Sequence, residues 1–239
     1  MAVGQKTTLQ ADEKTDAPRS GRRGGYSSPS IIERRHRILA AARQLIAEKD
    51  IHDISMDEVA EQAQVAKRTL YNIFRNRDLL IAAAIYKYFE DFEKKIRYRT
   101  EPASPARMIE HLDVVIRRNL EVRSYTRALL AAFFSPDADD DVRRTIFEIA
   151  AHSHRPWVER LYRDGQLQPW VDPQILIEDL VRYRYALGLD WALGRVEGAD
   201  FGPIIIKGVL TMVAGACRQN ARDEIDAALI TWAELAPGQ

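Results

Sequence analysis

The chain has 239 residues, 46% of them hydrophobic and 29% charged, with a formal net charge of zero and one cysteine. That apolar share suffices for one large or two small packed domains and excludes disorder over most of the length. The lone thiol of Cys217 excludes an internal disulfide. No charged leader runs into an apolar stretch with a small-residue cleavage site, so the cytoplasm is the expected compartment.

The zero net charge conceals an uneven distribution. Residues 1–99 carry 19 Lys and Arg against 14 Asp and Glu, a net of +5, and the remainder carries 16 against 21, a net of −5. A mildly basic amino-terminal part and an acidic body are the pattern of a nucleic-acid reader joined to a unit with another task.

Residues 1–29 are rich in Lys, Thr, Asp, Ser and Gly, with Arg19, Arg22 and Arg23 beside Gly24 and Gly25, and have no apolar period. A disordered basic arm is expected, either a solvated tail or a segment reaching into a minor groove. Ser30 and Glu33 have capping-box spacing, and Ile38, Leu39, Ala42, Leu45 and Ile46 then share one helical face to about Lys49. Arg34, Arg35, His36 and Arg37 lie in its first turns, where a helix beside a reading head can touch backbone phosphates.

The most informative stretch is Ser55 to Phe74. Ser55 and Glu58 form a second capping box, Val59 and Ala63 give a short helix its apolar face, and the pattern breaks over residues 63–66. It resumes with Leu70, Ile73 and Phe74 at i, i+3 and i+4, which leaves Lys67, Arg68, Thr69, Tyr71 and Asn72 on the opposite side. Two short helices around a four-residue break, the second with donors along its free face, are the layout that inserts a helix into a major groove. Asn76 caps a fourth helix with Asp78 in its first turn, predicted to continue as far as Arg99.

The body reads as helices throughout. Ser104-Pro105 opens one that carries Met108, Leu112, Val115, Ile116 and Leu120; Tyr125–Phe134 and Asp139–Arg163 follow; Asp172-Pro173 opens another to about Arg195. A further helix is predicted from Pro203 near Gly202 to about Asn220, and a last from residue 222 or 223 to Leu235. The tract Phe201–Cys217 is interrupted by Lys207 and falls short of the roughly 18 uncharged apolar residues of a membrane span, so no membrane association is expected. Sustained strand alternation and fixed repeats are absent. The fold class is all-α: a helix-turn-helix domain over residues 30–76, and a helical ligand-binding and dimerisation domain over residues 77–239 that includes the connecting helix.

No nucleophile motif, phosphate loop or dinucleotide fingerprint is present, so no enzymatic activity and no cofactor are expected. His152 and His154 are two apart and do not share a helical face. Asp139, Asp140 and Asp141 are accounted for by the positive end of a helix dipole, and no metal site is predicted. Pro156 removes an amide from its helix and favours a kink. Asn119 and Arg184 are polar groups on apolar stripes, costly to bury unpaired, and Trp157 and Tyr183 add amphipathic surface. These four are the candidate ligand-binding residues. Gly208, Thr211 and Gly215 on one helix, and Gly188 with Ala192 on another, allow close helix approach and suggest the interface of a homodimer.

The residues Val59-Ala60, Val65, Thr69-Leu70-Tyr71, Phe74 and Arg77-Asp78-Leu79-Leu80 resemble the DNA-binding domain of the TetR (tetracycline-repressor type) family of bacterial regulators, over Ile31 to Tyr86. That family usually has glycine in the turn and serine or threonine capping the reading helix, where this chain has Gln64 and Ala66. The resemblance implies a homodimeric regulator of double-stranded DNA, a repressor released from a pseudo-palindromic operator by a small-molecule effector. Lys67, Arg68 and Thr69 would then meet base edges, and Tyr71, Asn72 and Arg77 would hold phosphates. A second reading, prompted by Gln64 and Ala66, is a helical small-molecule-binding or protein-interaction module without operator affinity.

Overall fold

The computed structural model describes residues 29–235, with ten α-helices among them. The arm expected over residues 1–29 lies outside the described residues except for Pro29, which opens α1 (Pro29–Glu48). The cap expected at Ser30 falls on a side chain that is likewise not described.

The amino-terminal helices assemble around a local apolar core. Ile38, Leu39, Ala42, Leu45 and Ile46 of α1 are all buried, each isoleucine or leucine contributing about 1.5–3 kcal/mol. A 3₁₀ turn, Ile51–Asp53, leads into α2 (Met56–Gln62). Both arms of the Ser55 capping box form: the hydroxyl accepts from the Glu58 amide at 3.2 Å, and the Glu58 carboxylate accepts from the Ser55 amide at 3.0 Å. α3 (Lys67–Ile73) follows, and α4 (Arg77–Glu93) leaves it through Asn76, whose side chain accepts from the Leu79 amide at 2.8 Å.

α4 ends at Glu93, six residues before its predicted end at Arg99. Beyond Glu93 the chain is held by Glu110, whose carboxylate accepts the amides of Arg99 and Thr100 at 2.9 and 3.2 Å. α4 is consequently on the order of 25 Å long.

The body comprises α5 (Pro105–Glu121), α6 (Arg123–Phe134), α7 (Asp140–Arg163), α8 (Pro173–Ala192), α9 (Gly198–Ala216) and α10 (Gln219–Leu235). Proline at the first helical position with Ser104 or Asp172 as cap starts α5 and α8 as expected, and Asp139 caps α7 by accepting from the amides of Asp141 and Val142. α7 continues as a helix through Pro156. α9 is displaced from its predicted bounds of Pro203 to about Asn220: it starts five residues earlier and ends at Ala216, and α10 opens at Gln219, before the predicted residue 222 or 223. The helix begins at Gly198, with Pro203 inside it, because Phe201 of its first turns stacks on Trp191 of α8 at 4.6 Å. With that extension α9 is long and apolar enough to cross a membrane by length and composition. Here Phe201, Ile205, Val209 and Val213 bury one side of it in the core, against α5, α8 and α10.

Amino-terminal helices and body share packing. α1 lies on α4 and α6, and α4 lies on α7. One cluster runs from Ile38 and Leu70 through Leu80 and Ile85 to Tyr125, Leu129 and Ile146. A change in the body therefore has a direct mechanical route to α3.

Gly188 and Gly208 act within the chain. A Cβ on Gly188 would stand 2.8 Å from Leu130, and one on Gly208 would stand 1.7 Å from the Tyr183 hydroxyl. Their lack of a side chain lets α8 approach α6 and α9. Gly215 faces open space, with Thr211 exposed on the same helix.

Candidate functional site

α3 is anchored through one face and presents the other. Leu70 is 0% exposed and Phe74 is buried, with the Arg35 guanidinium of α1 4.8 Å from the centre of the Phe74 ring. Lys67, Arg68, Tyr71 and Asn72 are exposed and Thr69 is half-buried, so the polar face points outward. Lys67 donates to Asp57 of α2 at 2.8 Å, and that hydrogen bond raises the pKa of its ammonium group. Among the described residues no ion pair involves Arg68. Tyr71 is 44% exposed, which leaves its hydroxyl available to an outside acceptor.

Arg77 is placed differently from the expectation of a phosphate contact. Its Nη1 donates to the His52 carbonyl at 2.8 Å, and Nε and Nη2 donate to Asp78 at 2.9 and 2.7 Å. Half-buried under the 3₁₀ turn, it fixes the start of α4 to the residues before α2. Arg75, exposed in the turn between α3 and α4, is the basic residue at this end that sequence reasoning passed over. It lies on no apolar period, so nothing in the pattern marked it.

The turn between α2 and α3 carries two departures from the family pattern. Gln64 sits in the left-handed region at φ 53°. It closes α2 as a Schellman motif: its amide donates to the Glu61 carbonyl and the Val65 amide donates to the Ala60 carbonyl, both at 3.0 Å. Ala66 caps α3 with no side-chain hydrogen bond. Each departure has a local cost. Gln64→Gly is expected to raise stability by about 0.5–1 kcal/mol, the relieved strain being partly offset by the more flexible unfolded chain. Ala66→Ser is expected to add about 0.5–2 kcal/mol. Thermal unfolding of the two variants checks both signs, and a lowered midpoint for Gln64→Gly contradicts the geometry of the turn.

A second site lies in the body. Helices α4 to α9 enclose a mainly apolar cavity of about 60 Å³, whose walls include Phe89 and Phe92 of α4, Leu112 of α5, Leu129 of α6, Ile149 of α7 and Phe201 of α9. Its polar lining is Glu93, His111, Asn119, Thr126 and Arg184. Asn119 and Arg184, two of the four candidate ligand residues, thus meet in one cavity. Trp157 and Tyr183 do not reach it. Trp157, buried, borders a more open cleft of about 320 Å³ on the far side of His111. Tyr183 donates to the Ile204 carbonyl at 3.1 Å and covers Gly208, so it serves the α8–α9 contact.

Arg184 is 7% exposed, and burial lowers its pKa. Its Nη1 donates to Ser153 Oγ at 3.2 Å and to His154 Nε2 at 3.0 Å. Because a guanidinium can only donate, His154 accepts through Nε2 and is neutral. Burial, followed by the Arg184 charge, holds the His154 pKa well below the ordinary value. His111 is pushed down to about 3 by burial, with Arg184 the next cause, and its Nδ1 meets the Tyr98 hydroxyl at 2.7 Å. The Glu93 carboxyl is raised by burial. Glu93 and His111 escaped the sequence reading because their facing depends on where α4 ends. His154 was weighed in the sequence only as a metal ligand beside His152 and set aside; its bond to Arg184 joins helices distant in sequence.

Residues 38–84 match the family model described as "Bacterial regulatory proteins, tetR family". A curated protein, the HTH-type transcriptional activator FasR of Mycolicibacterium smegmatis (strain ATCC 700084 / mc(2)155), is 28% identical over 132 residues, 55% of this chain and 52% of that protein. The chain therefore matches about half the length of that curated relative. Solved structures share the fold. A tetR-family transcriptional regulator from Streptomyces coelicolor superposes with a TM-score of 0.61 at 16% identity, over 83% of this chain and 89% of that one. FadR of Thermus thermophilus, a TetR-family transcriptional repressor in complex with lauroyl-CoA, does so with a TM-score of 0.53 at 17% identity, over 77% and 96%.

Proposed function

We propose that this chain, whose residues 38–84 match the model of the tetR family of bacterial regulatory proteins, is a member of that family and a sequence-specific, effector-responsive repressor acting on DNA as a homodimer. The observation that carries the reading is α3 itself: a helix held by Leu70 and Phe74 with Lys67, Arg68, Tyr71 and Asn72 turned outward. Lys67, Arg68 and Thr69 are assigned to base edges, and Tyr71 and Asn72 to phosphates. Arg77 is assigned the placement of α4, which in turn sets the height of α3. The reader spans residues 30–76 and the effector-binding and dimerising body residues 77–239. Members of this family are transcription regulators, and no catalytic role is assigned here. A reader of genomic duplex works in the cytoplasm.

The cavity supplies the means of release. Ligand pockets typically measure about 300–1,000 Å³, whereas this one holds about 60 Å³. An effector can enter only by widening it, and Phe89, Phe92 and Glu93 place α4 in its wall. Moving α4 moves the start of the helix, which Arg77 ties to the His52 carbonyl of the amino-terminal domain. The effector thus favours the wider form, and if that form spaces the two reading helices wrongly, duplex affinity falls. A dimer is required because one short helix touches few bases, while two about 34–36 Å apart read successive turns of a pseudo-palindrome. Exposed Ile175 on α8, Leu193 just past its end and Ile204 on α9 support those helices as the contact between copies.

Titration of a mixed-sequence duplex against salt tests the reader. Affinity is expected to fall with a slope of about −0.9 per phosphate neutralised on a log–log plot. Absence of duplex binding at low salt contradicts the proposal and leaves a ligand-binding module.

A further inference from the structure

Arg184 sits in the body with no counter-ion. Among the described residues no carboxylate forms an ion pair with it, and its recorded hydrogen bonds run from one nitrogen to a neutral hydroxyl and a neutral imidazole. Among the described residues the one carboxyl in the same cavity, Glu93, forms no ion pair with it, and burial raises that carboxyl toward its neutral form. A brace between α7 and α8 does not need a permanent charge, since Ser153 and His154 would be satisfied by an amide. Burying an uncompensated cation is costly, and a guanidinium has five donors in a planar fork that fits a carboxylate through two parallel bonds.

We propose that Arg184 is the anchor for the head group of an anionic effector, an apolar molecule bearing a single carboxylate, whose tail lies among Phe89, Phe92, Leu112, Leu129 and Phe201. The seat is built for one such molecule. Arg184 and His111 share the lining with Glu93, whose carboxyl burial raises toward its neutral form, while Asn119 and Thr126, joined through Oδ1 and Oγ1 at 3.3 Å, add further polar atoms to a wall that is mainly apolar. The anion neutralises the buried charge, and the tail displaces the aromatic side chains of α4. This identification of the ligand class rests on reading the body as an effector-binding domain.

Calorimetry on the full chain tests it with decanoate and 4-butylbenzoate, each compared with its neutral primary alcohol, and with decyl phosphate to separate a carboxylate from a phosphate head. The wild-type chain is expected to bind at least one carboxylate about ten- to a hundredfold more tightly than the matching alcohol, and more tightly than the phosphate. Arg184→Met is expected to abolish that preference while keeping the alcohol affinity, with a thermal midpoint somewhat below wild type, since relief of the unpaired charge is offset by the loss of the donor to Ser153 and the buried His154. Arg184→Lys, which keeps the charge and loses the fork, is expected to retain only part of the preference. Equal affinity for acid and alcohol in the wild-type chain, no binding of any probe, preference for the phosphate, or an undiminished carboxylate preference in Arg184→Met each overturns the proposal. The wild-type comparison stands even if a variant fails to fold. Calorimetry needs no DNA: carboxylate binding through Arg184 with no effect on duplex binding upholds the anchor and removes the regulatory reading. Duplex release by a neutral molecule alone upholds the regulator and removes the anchor.

Discussion

Leu70→Ala is expected to lower the stability of the chain by about 2–5 kcal/mol and to abolish duplex binding. Leu70 is the buried residue of α3, with no exposed surface. Truncating it removes the transfer free energy of the side chain and leaves a cavity that neighbours fill only in part. The surrounding residues have little room to collapse, because Val59, Ile46 and Phe74 belong to the same cluster and already pack there. α3 has seven residues, too few to hold a helix by propensity alone, so its register depends on this anchor. That cluster continues into α6 and α7, so the loss is expected to appear as a fall in the midpoint of the whole transition, on the order of 10 °C for a chain of this size, with no separate low-temperature step. Circular dichroism during heating checks it. A shift of less than about 2 °C would mean that α3 is not packed through this face.

Arg68→Ala is the second large effect, and it falls on recognition with stability unchanged. The side chain is exposed, and Lys67 beside it is engaged by Asp57, so Arg68 is the readier of the two to reach a base edge. A bidentate arginine–guanine contact discriminates by about 1–3 kcal/mol, and in a dimer the loss occurs once per half-site. Binding to the preferred duplex is therefore expected to weaken at least tenfold, with discrimination relaxed at one position in each half-site. Tyr71→Phe provides the contrast. Removing a phosphate contact weakens binding similarly on preferred and scrambled duplexes. Competition titrations over single-position variants separate the two, and an unchanged preference for Arg68→Ala rejects its base-reading role.

The reading head was legible because its signals are local. The Ser55–Glu58 box, the spacing of Leu70, Ile73 and Phe74, and the Asn76 cap each act within a few residues, and all three appear in the structure. What escaped depends on contacts distant in sequence. The early start of α9 follows from Phe201 stacking on Trp191, and proline at position 203 suggested a boundary where the helix in fact continues. Arg77 looked like a phosphate ligand because no pattern indicates that the His52 carbonyl stands above it. Gly188 and Gly208 suggested a contact between copies, whereas Leu130 and Tyr183 occupy the space beside them. Arg184 was legible as a charge on an apolar stripe, but its lack of a counter-ion emerged only when six helices closed around it.

The chemistry divides along the same line. The side chains proposed to meet DNA protrude and obey helical spacing, so spacing finds them. Those proposed to meet the effector are gathered from six helices, where the end of α4 at Glu93 and the pairing of Tyr98 with His111 bear on which side chains face the cavity.

The central claim, that the outward face of α3 reads duplex DNA in two symmetrically placed copies, is tested most directly by selecting bound duplexes from a random pool with the full chain and sequencing them. The expected result is an enriched inverted repeat whose half-sites are centred about 10 base pairs, or a multiple of that, apart, with one position in each half-site losing its preference when the selection is repeated with Arg68→Ala. A pool that stays random through successive rounds, or an enriched motif that persists unchanged with Arg68→Ala and with Leu70→Ala, contradicts it.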